Sequence, residues 1–272
     1  MKKIETALTD LSTKFQHGKV VAEIISAALE AVNPENAVAR NLACNGDLLV
    51  AGSTEILLTA KSRIITIALG KAAPAMMRSA IKCLGERYQG GVCVSKHFKP
   101  DDLVDSSAIY INGNHPVPGE GSLQAGIEIR KVLSGLTEDD VVLLLVSGGG
   151  SSLVTSPVEG VTLGDIQTVT STLLRSGATI AELNSIRKHL DMIKGGGLVR
   201  LAAPAKVVAL VLSDVVGDPL EVIASGPAYP DPSTFADALA VLGKAAKHES
   251  VPGSIHRHMV KGVEGKIPET LK

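Results

Sequence analysis

The sequence predicts an α/β fold: a three-layer, Rossmann-like domain with a mostly parallel sheet. Three observations carry this. Apolar runs rich in Val, Ile and Leu recur at residues 63–69, 140–146 and 206–212. They are short for free-standing helices and lack the alternation of a half-wet strand, so they read as strands buried on both faces. Segments with apolar residues at helical spacing lie between them, which is the pattern of βαβ units. The runs also end in glycines and small polar residues, as at Gly70-Lys71 and at Ser147-Gly148-Gly149-Gly150-Ser151-Ser152.

In chain order, residues 6–32 read as a helix, with Val20, Val21, Ile24, Ile25, Ala28 and Leu29 at helical spacing and Asn33-Pro34 ending it. Residues 37–55 read as loop with short extended pieces. The strand at 63–69 runs through Gly70-Lys71 into a helix at 72–87. Further strands are expected at 90–95 and 108–111, followed by the irregular stretch GNHPVPGEGS (113–122) and a helix at 124–133. After the central strand at 140–146 come helices at 162–175, with Thr162 as N-cap, and at 181–193, the latter broken by Gly195-Gly196-Gly197. The strand at 206–212 leads into SDVVGDPL (213–220), and helices at 234–246 and 253–263 close the chain. There is no internal repeat and no long linker, so residues 1–272 read as a single domain.

Composition removes several function classes. Lys plus Arg is 27 and Asp plus Glu is 28, which leaves no electrostatic case for nucleic acid or an anionic membrane. Aromatics are 2% with no Trp, so stacking platforms for single-stranded nucleic acid are missing. Cys44, Cys83 and Cys93 show no paired spacing, which argues against a disulfide framework or a zinc site and suits a reducing compartment. The N-terminal residues lack the apolar core of a signal peptide, and no apolar run approaches membrane-spanning length. A soluble cytoplasmic protein is expected.

In open parallel sheets ligands collect at the carboxyl ends of the strands. Gly70-Lys71, Ser95-Lys96-His97, Asn114-His115, Ser147 to Ser152, Ser213-Asp214 and Gly217-Asp218 should therefore cluster, although they are far apart in sequence. A strand that opens into Gly148, Gly149 and Gly150 lets bare N–H groups approach an oxyanion, with Ser147, Ser151 and Ser152 adding hydroxyls; the alternative is a flexible strand-to-helix turn. Lys71 is a cation at a helix start, where the dipole opposes it, and so hints at a ligand anion. Asn184, Arg187 and Lys188 fall within one helical turn, and Lys194 before Gly195 and Gly196 resembles a second cationic loop, or a solvated basic face with a glycine stop. Asp214 and Asp218 flank a turn and suit either Mg²⁺ binding or ordinary turn chemistry. His115 reads as a structural loop histidine. No P-loop and no dinucleotide fingerprint occurs.

Five stretches carry a resemblance: ALGKAAPAM (68–76), GNHPVPGEGS (113–122), LLLVSGGGSSL (143–153), ELNSIRKHLDMIKGGGL (182–198) and LSDVVGDPLEVIASGPAYPDPST (212–234). In these the sequence resembles the glycerate 2-kinase family, also called the type-2 glycerate kinase or MOFRL family, some of whose members carry the older name hydroxypyruvate reductase. The resemblance implies ATP- and Mg²⁺-dependent phosphorylation of D-glycerate to 2-phosphoglycerate. It places the functional lysine at Lys71, the glycine loop at Ser147 to Ser152, the Asn/Arg/Lys helix at Asn184 to Lys188, the second loop at Lys194 to Gly197, and the acidic turn at Asp214 and Asp218. Lys71, Arg187 and Asp214 are the expected catalytic residues, and Asp214 and Asp218 the metal ligands. The expected ligands are glycerate and a nucleotide, with homo-oligomer formation. Family members have a second, C-terminal domain, so this chain is expected to match the N-terminal domain alone. Two alternatives are an NAD(P)H-dependent hydroxypyruvate reductase and a non-catalytic domain that binds small hydroxy acids.

Overall fold

A computed structural model describes residues 2–246 and 251–272. Two helices, α1 (Lys2–Lys14) and α2 (Gly18–Ala31), replace the single expected one. The chain turns between them, and a Cβ on Gly18 would stand 1.8 Å from the Leu11 carbonyl oxygen. Asn33-Pro34 starts a helix as well as ending one. The Asn33 side chain accepts from the N–H groups of Glu35 and Asn36, and Pro34 opens α3 (Pro34–Asn41), where its missing N–H costs nothing. Next come three short antiparallel strands, β1 (Leu42–Asn45), β2 (Leu48–Ala51) and β3 (Thr54–Leu57), where loop and extended pieces are expected.

The main sheet has five parallel strands: β4 (Ile64–Leu69), β5 (Tyr88–Ser95), β6 (Ala108–Asn112), β7 (Val141–Ser147) and β8 (Lys206–Leu212). Their spatial order is β6-β5-β4-β7-β8. The chain builds outward from β4 to one edge, then returns to the other side of β4 to place β7. The switch point is thus the crevice between β4 and β7, where this topology puts ligands. Helices α4 (Ala73–Leu84) and α5 (Glu120–Leu133) cross over, α6 (Gly150–Leu153) follows β7, and α7 (Leu163–Arg175), α8 (Ile180–His189) and α9 (Gly197–Ala202) lead to β8. Helices α10 (Phe235–Ala245) and α11 (Gly253–Val263) come last.

Every residue of β7 is buried, and its side chains alternate between two cores. Val142, Leu144 and Val146 pack with Ile129 and Leu133 of α5 and Leu198 of α9. Val141, Leu143 and Leu145 pack with Met76, Met77 and Ala80 of α4 and with Leu49 of β2. That makes the three layers. A third cluster joins α7, α8, α10 and α11 beside the sheet. Among the described residues, no helix is long and apolar enough to cross a membrane.

At the amino end of β7, away from the switch point, Asp140 accepts from Arg63 Nε and Nη2 at 2.8 and 2.6 Å and from Thr137 N–H at 2.7 Å. The Arg63 bond, set against burial, holds its carboxyl well below the usual range. A carboxylate depressed in the folded state stabilises the fold above its unfolded pKa of about 3.9 and loses that contribution as pH falls below it. Asp140→Asn should therefore cost about 2–3 kcal/mol at neutral pH, and the gap from wild type should begin to narrow on acidification below pH ~4, closing only as pH falls through the depressed folded value. Urea unfolding at pH 7 and pH 3 measures both, and a gap that does not change with pH would refute this assignment.

Candidate functional site

The site is built where β4 and β7 end. Gly70 follows β4 with φ at 122°, and a Cβ there would stand 2.3 Å from Ser147 Oγ, so the two turns pack backbone to backbone. Lys71 N–H donates to Gly148 O at 2.9 Å, and Ala72 N–H donates to Ser147 Oγ at 3.0 Å. The Ser147 hydroxyl thus braces the crevice instead of facing a ligand. This contact holds the exposed Lys71 side chain along the glycine turn, where a Cβ on Gly149 would lie 3.3 Å from Lys71 Cε and 3.4 Å from His115 Cδ2. A Cβ on Gly148 would lie 1.9 Å from Asp214 Oδ2. The turn therefore brings the ends of β4, β6, β7 and β8 to one place. Among the described residues, the N–H groups of Gly148 and Gly149 donate to no protein acceptor, while Gly149 takes a left-handed φ of 89°.

Three cations surround this turn. Burial, and then the positive fields of Lys71, Lys96 and Arg187, hold the His115 imidazole below its usual pKa, so all three lie near enough to act on it. Arg187, from α8, lines a small crevice with Ser151, Pro118 and Thr155. Burial alone pulls its guanidinium down. Among the described residues none of the three has an acidic partner. Unpaired cations beside free backbone N–H groups are chemically suited to anions.

Residues behind the turn fix its shape. Ser225 is fully buried with φ at 60°, and its Oγ lies 2.9 Å from Ser151 Oγ and 3.1 Å from Asn184 Oδ1. Asn184 is itself buried and serves this bridge. Ala224 also takes a left-handed φ of 50°, against Gly150, where a Cβ would come within 2.8 Å of it. Two consecutive non-glycine residues in that region mark strain of the kind that collects at functional sites. On the other side, buried Ser122 donates to Ser152 O at 2.8 Å and accepts from Asn114 N–H at 2.9 Å, which ties the 113–122 stretch to the glycine turn. Sequence reasoning missed Ser122, and it offers Ser225-Gly226-Pro227 as either a small anion loop or a Pro-rich turn, whereas the Ser225 hydroxyl is spent on Ser151 and Asn184. A buried serine has no sequence signature of its own, and only the positive φ of residues 224–226 separates this turn from any other.

The second glycine loop has a different structure. Lys194 is buried, and its Nζ donates to Asp191 Oδ2 at 2.5 Å and to Val154 O at 2.8 Å. The N–H groups of Gly195 and Gly196 donate to Ser225 O and Gly226 O at 3.0 and 2.8 Å. The cation and the amides expected to hold a phosphate are spent on the protein itself. Lys188 is likewise buried, 3.1 Å from Asp231 Oδ1. The loop locks the strained 224–226 turn. Lys194→Ala should thus cost about 3–5 kcal/mol by leaving Asp191 buried and uncompensated. Thermal unfolding checks this; an unchanged melting temperature with weakened anion binding would return Lys194 to a ligand role.

Asp214 and Asp218 are exposed on the loop after β8, Asp218 with a left-handed φ of 50°. Among the described residues no group of three or more His, Cys, Asp or Glu could cage a metal. That still fits Mg²⁺, which keeps several waters and needs only one or two carboxylates besides substrate phosphates.

Comparison with known proteins adds the lineage. Residues 20–260 match the model of a family described as a domain of unknown function, DUF4147. The chain is 46% identical over 83% of its length to a D-glycerate 2-kinase of Thermotoga maritima, and 38% identical over 92% to a glycerate 2-kinase of Pyrococcus horikoshii. These matches cover 51% and 55% of the two relatives, so the chain spans about half their length. A relative in Agrobacterium vitis, 38% identical over 90% of this chain and 52% of its own, bears the name hydroxypyruvate reductase only provisionally. The crystal structure of a P. horikoshii protein superposes with a TM-score of 0.85 at 37% identity, over 93% of this chain and 57% of that one. That of the T. maritima glycerate kinase gives 0.77 at 42%, over 93% and 56%. The chain belongs to the DUF4147 family, the family of the glycerate 2-kinases that it matches over most of its length.

Proposed function

We propose that this chain supplies the anion-binding wall of an ATP-dependent glycerate 2-kinase, which transfers the γ-phosphoryl group of ATP to the 2-hydroxyl of D-glycerate. One observation carries the reading: three unpaired cations converge on a glycine turn with free N–H groups at the switch point of the sheet. Phosphoryl transfer needs little covalent chemistry from a protein. It needs reactants held in line and negative charge neutralised. In this reading Lys71 neutralises charge on the transferring group, and the N–H groups of Gly148 and Gly149 hold a phosphate or the glycerate carboxylate. Arg187 grips the other anion. Ser147, Ser151, Ser152, Asn184, Lys194, Gly195 and Gly196 hold that surface in shape. Mg²⁺ would sit on Asp214, with Asp218 at the rim of the same loop, and when bound would offset phosphate charge.

The names of the relatives support the substrate. The reductase alternative rests on a provisional name and lacks a dinucleotide fingerprint in the sequence. The exposed apolar stripe of α2, including Val20, Ile24 and Leu29, supports self-association. Three free cysteines suit a reducing, cytoplasmic setting. The chain is expected to act as one domain, with the rest of the kinase cleft supplied by the part of the relatives it does not span. Assays with glycerate and MgATP, then with hydroxypyruvate and NADH, test the reading. NADH oxidation without ADP formation would overturn it.

A further inference from the structure

We propose that His115 is the general base that takes the proton from the hydroxyl undergoing phosphorylation. This rests on the kinase reading above and assigns a residue to a step that reading leaves open.

First, the 113–122 stretch follows β6, and Ser122 clamps it to the glycine turn through Ser152 O and Asn114 N–H. Backbone packing reinforces the clamp, since a Cβ on Gly113 would stand 2.3 Å from Leu153 O. The imidazole is thereby carried over Gly149, with Cδ2, the carbon bonded to Nε2, turned to the same point as Lys71 Cε. Its Nε2 edge lies beside the group assigned to the transferring phosphate, which is where an acceptor hydroxyl must stand for in-line attack. Second, the ring is uncommitted. His189 and His258 bond Glu269 and a backbone carbonyl, but His115 makes no hydrogen bond among the described residues. Third, the ring is neutral where it is needed. Lys71 from the β4 turn, Lys96 from the end of β5 and Arg187 from α8 face it, and with burial they keep it unprotonated near pH 7. A bound carboxylate and a bound phosphate would offset those cations, so basicity rises when substrates are in place.

The step balances. The hydroxyl O–H proton passes to Nε2, the hydroxyl oxygen forms the new P–O bond, the bond from γ-phosphorus to its bridging oxygen breaks, and ADP leaves. The imidazolium then returns its proton to solvent.

Two measurements test the assignment, with different failures. In the 272-residue chain, ¹⁵N NMR should show glycerate perturbing the His115 Nε2 signal clearly more than propionate, which has the carboxylate and no hydroxyl and so reports the charge effect alone. In the most active form of the protein, His115→Gln should lower kcat about a hundredfold with KM for glycerate changed less than a few-fold. It should also abolish the acidic limb of kcat/KM, which in wild type falls as pH drops below the depressed pKa of His115. Equal shifts from glycerate and propionate, or an acidic limb surviving in His115→Gln, would overturn the base and leave the kinase reading standing. If glycerate binds neither form, the kinase reading and the base fall together.

Discussion

Lys71→Ala is expected to lower kcat by about a hundredfold or more in an active form of this protein while leaving the fold intact. The side chain is exposed and makes no ion pair among the described residues, so its loss should not disturb the core. The backbone keeps it in place, because Lys71 N–H donates to Gly148 O and this bond survives the substitution. Its Cε already lies beside Gly149, on the turn whose Gly148 and Gly149 N–H groups are free among the described residues. One preorganised contact to charge that develops in the transition state is worth roughly 3–4 kcal/mol, which is the hundredfold and more. Lys71→Arg should recover only part, since a planar fork does not reproduce a point charge. Steady-state kinetics with matched melting curves decide it. A Lys71→Ala variant with near-normal kcat would make Lys71 a solvated helix-start lysine.

The second large effect concerns the open side of the crevice. The 272-residue chain by itself should fold and bind anions but turn over glycerate poorly, and joining it to the second half of the T. maritima relative should raise turnover by orders of magnitude. Five parallel strands with a core on each face give the sheet its own stability. The cations, however, line one wall, whereas transfer needs charge around the γ-phosphate and exclusion of water. Val216 on the loop after β8 is fully exposed, and Leu220 and Tyr229, which line one crevice together, are 41% and 43% exposed. Such apolar surface beside a polar site suits a covering wall. Assay of both proteins under one set of conditions checks this. Full turnover by the 272-residue chain as a monomer would show that the crevice is complete without an added wall.

Much of this architecture was legible in the residues themselves. Strands β4 and β7 were readable because a strand buried on both faces must be apolar throughout, and both are buried at every position. The run at 206–212, expected to be buried in the same way, is the edge strand β8 with Lys206, Ala209 and Val211 exposed, because no strand covers its far side. The helix at Gly253–Val263 and the Thr162 cap were readable because spacing and capping are local. Local reasoning failed where two local signals compete. Asn33-Pro34 stops one helix as readily as it starts the next, and a turn at Gly18 is decided by contact with Leu11.

For the site, sequence singled out Lys71, the glycine turn, Arg187 and Asp214 as chemically equipped residues, and the strand-end rule grouped them. It could not say which charges stay free. Lys194 before three glycines and Lys71 after one look alike as sequence, yet Lys194 finds Asp191 and the Val154 carbonyl, while Lys71 finds no acid. The two glycine loops differ in the same way: Gly195 and Gly196 spend their N–H groups on the 225–226 turn, and Gly148 and Gly149 keep theirs. Most helices and the strands of the main sheet are written in local periodicity, so sequence alone placed them, apart from the α1–α3 boundaries and the short strands β1 to β3. Whether a charge or an amide is available to a ligand depends on partners tens of residues away, and these become neighbours only when β7 is laid against β4.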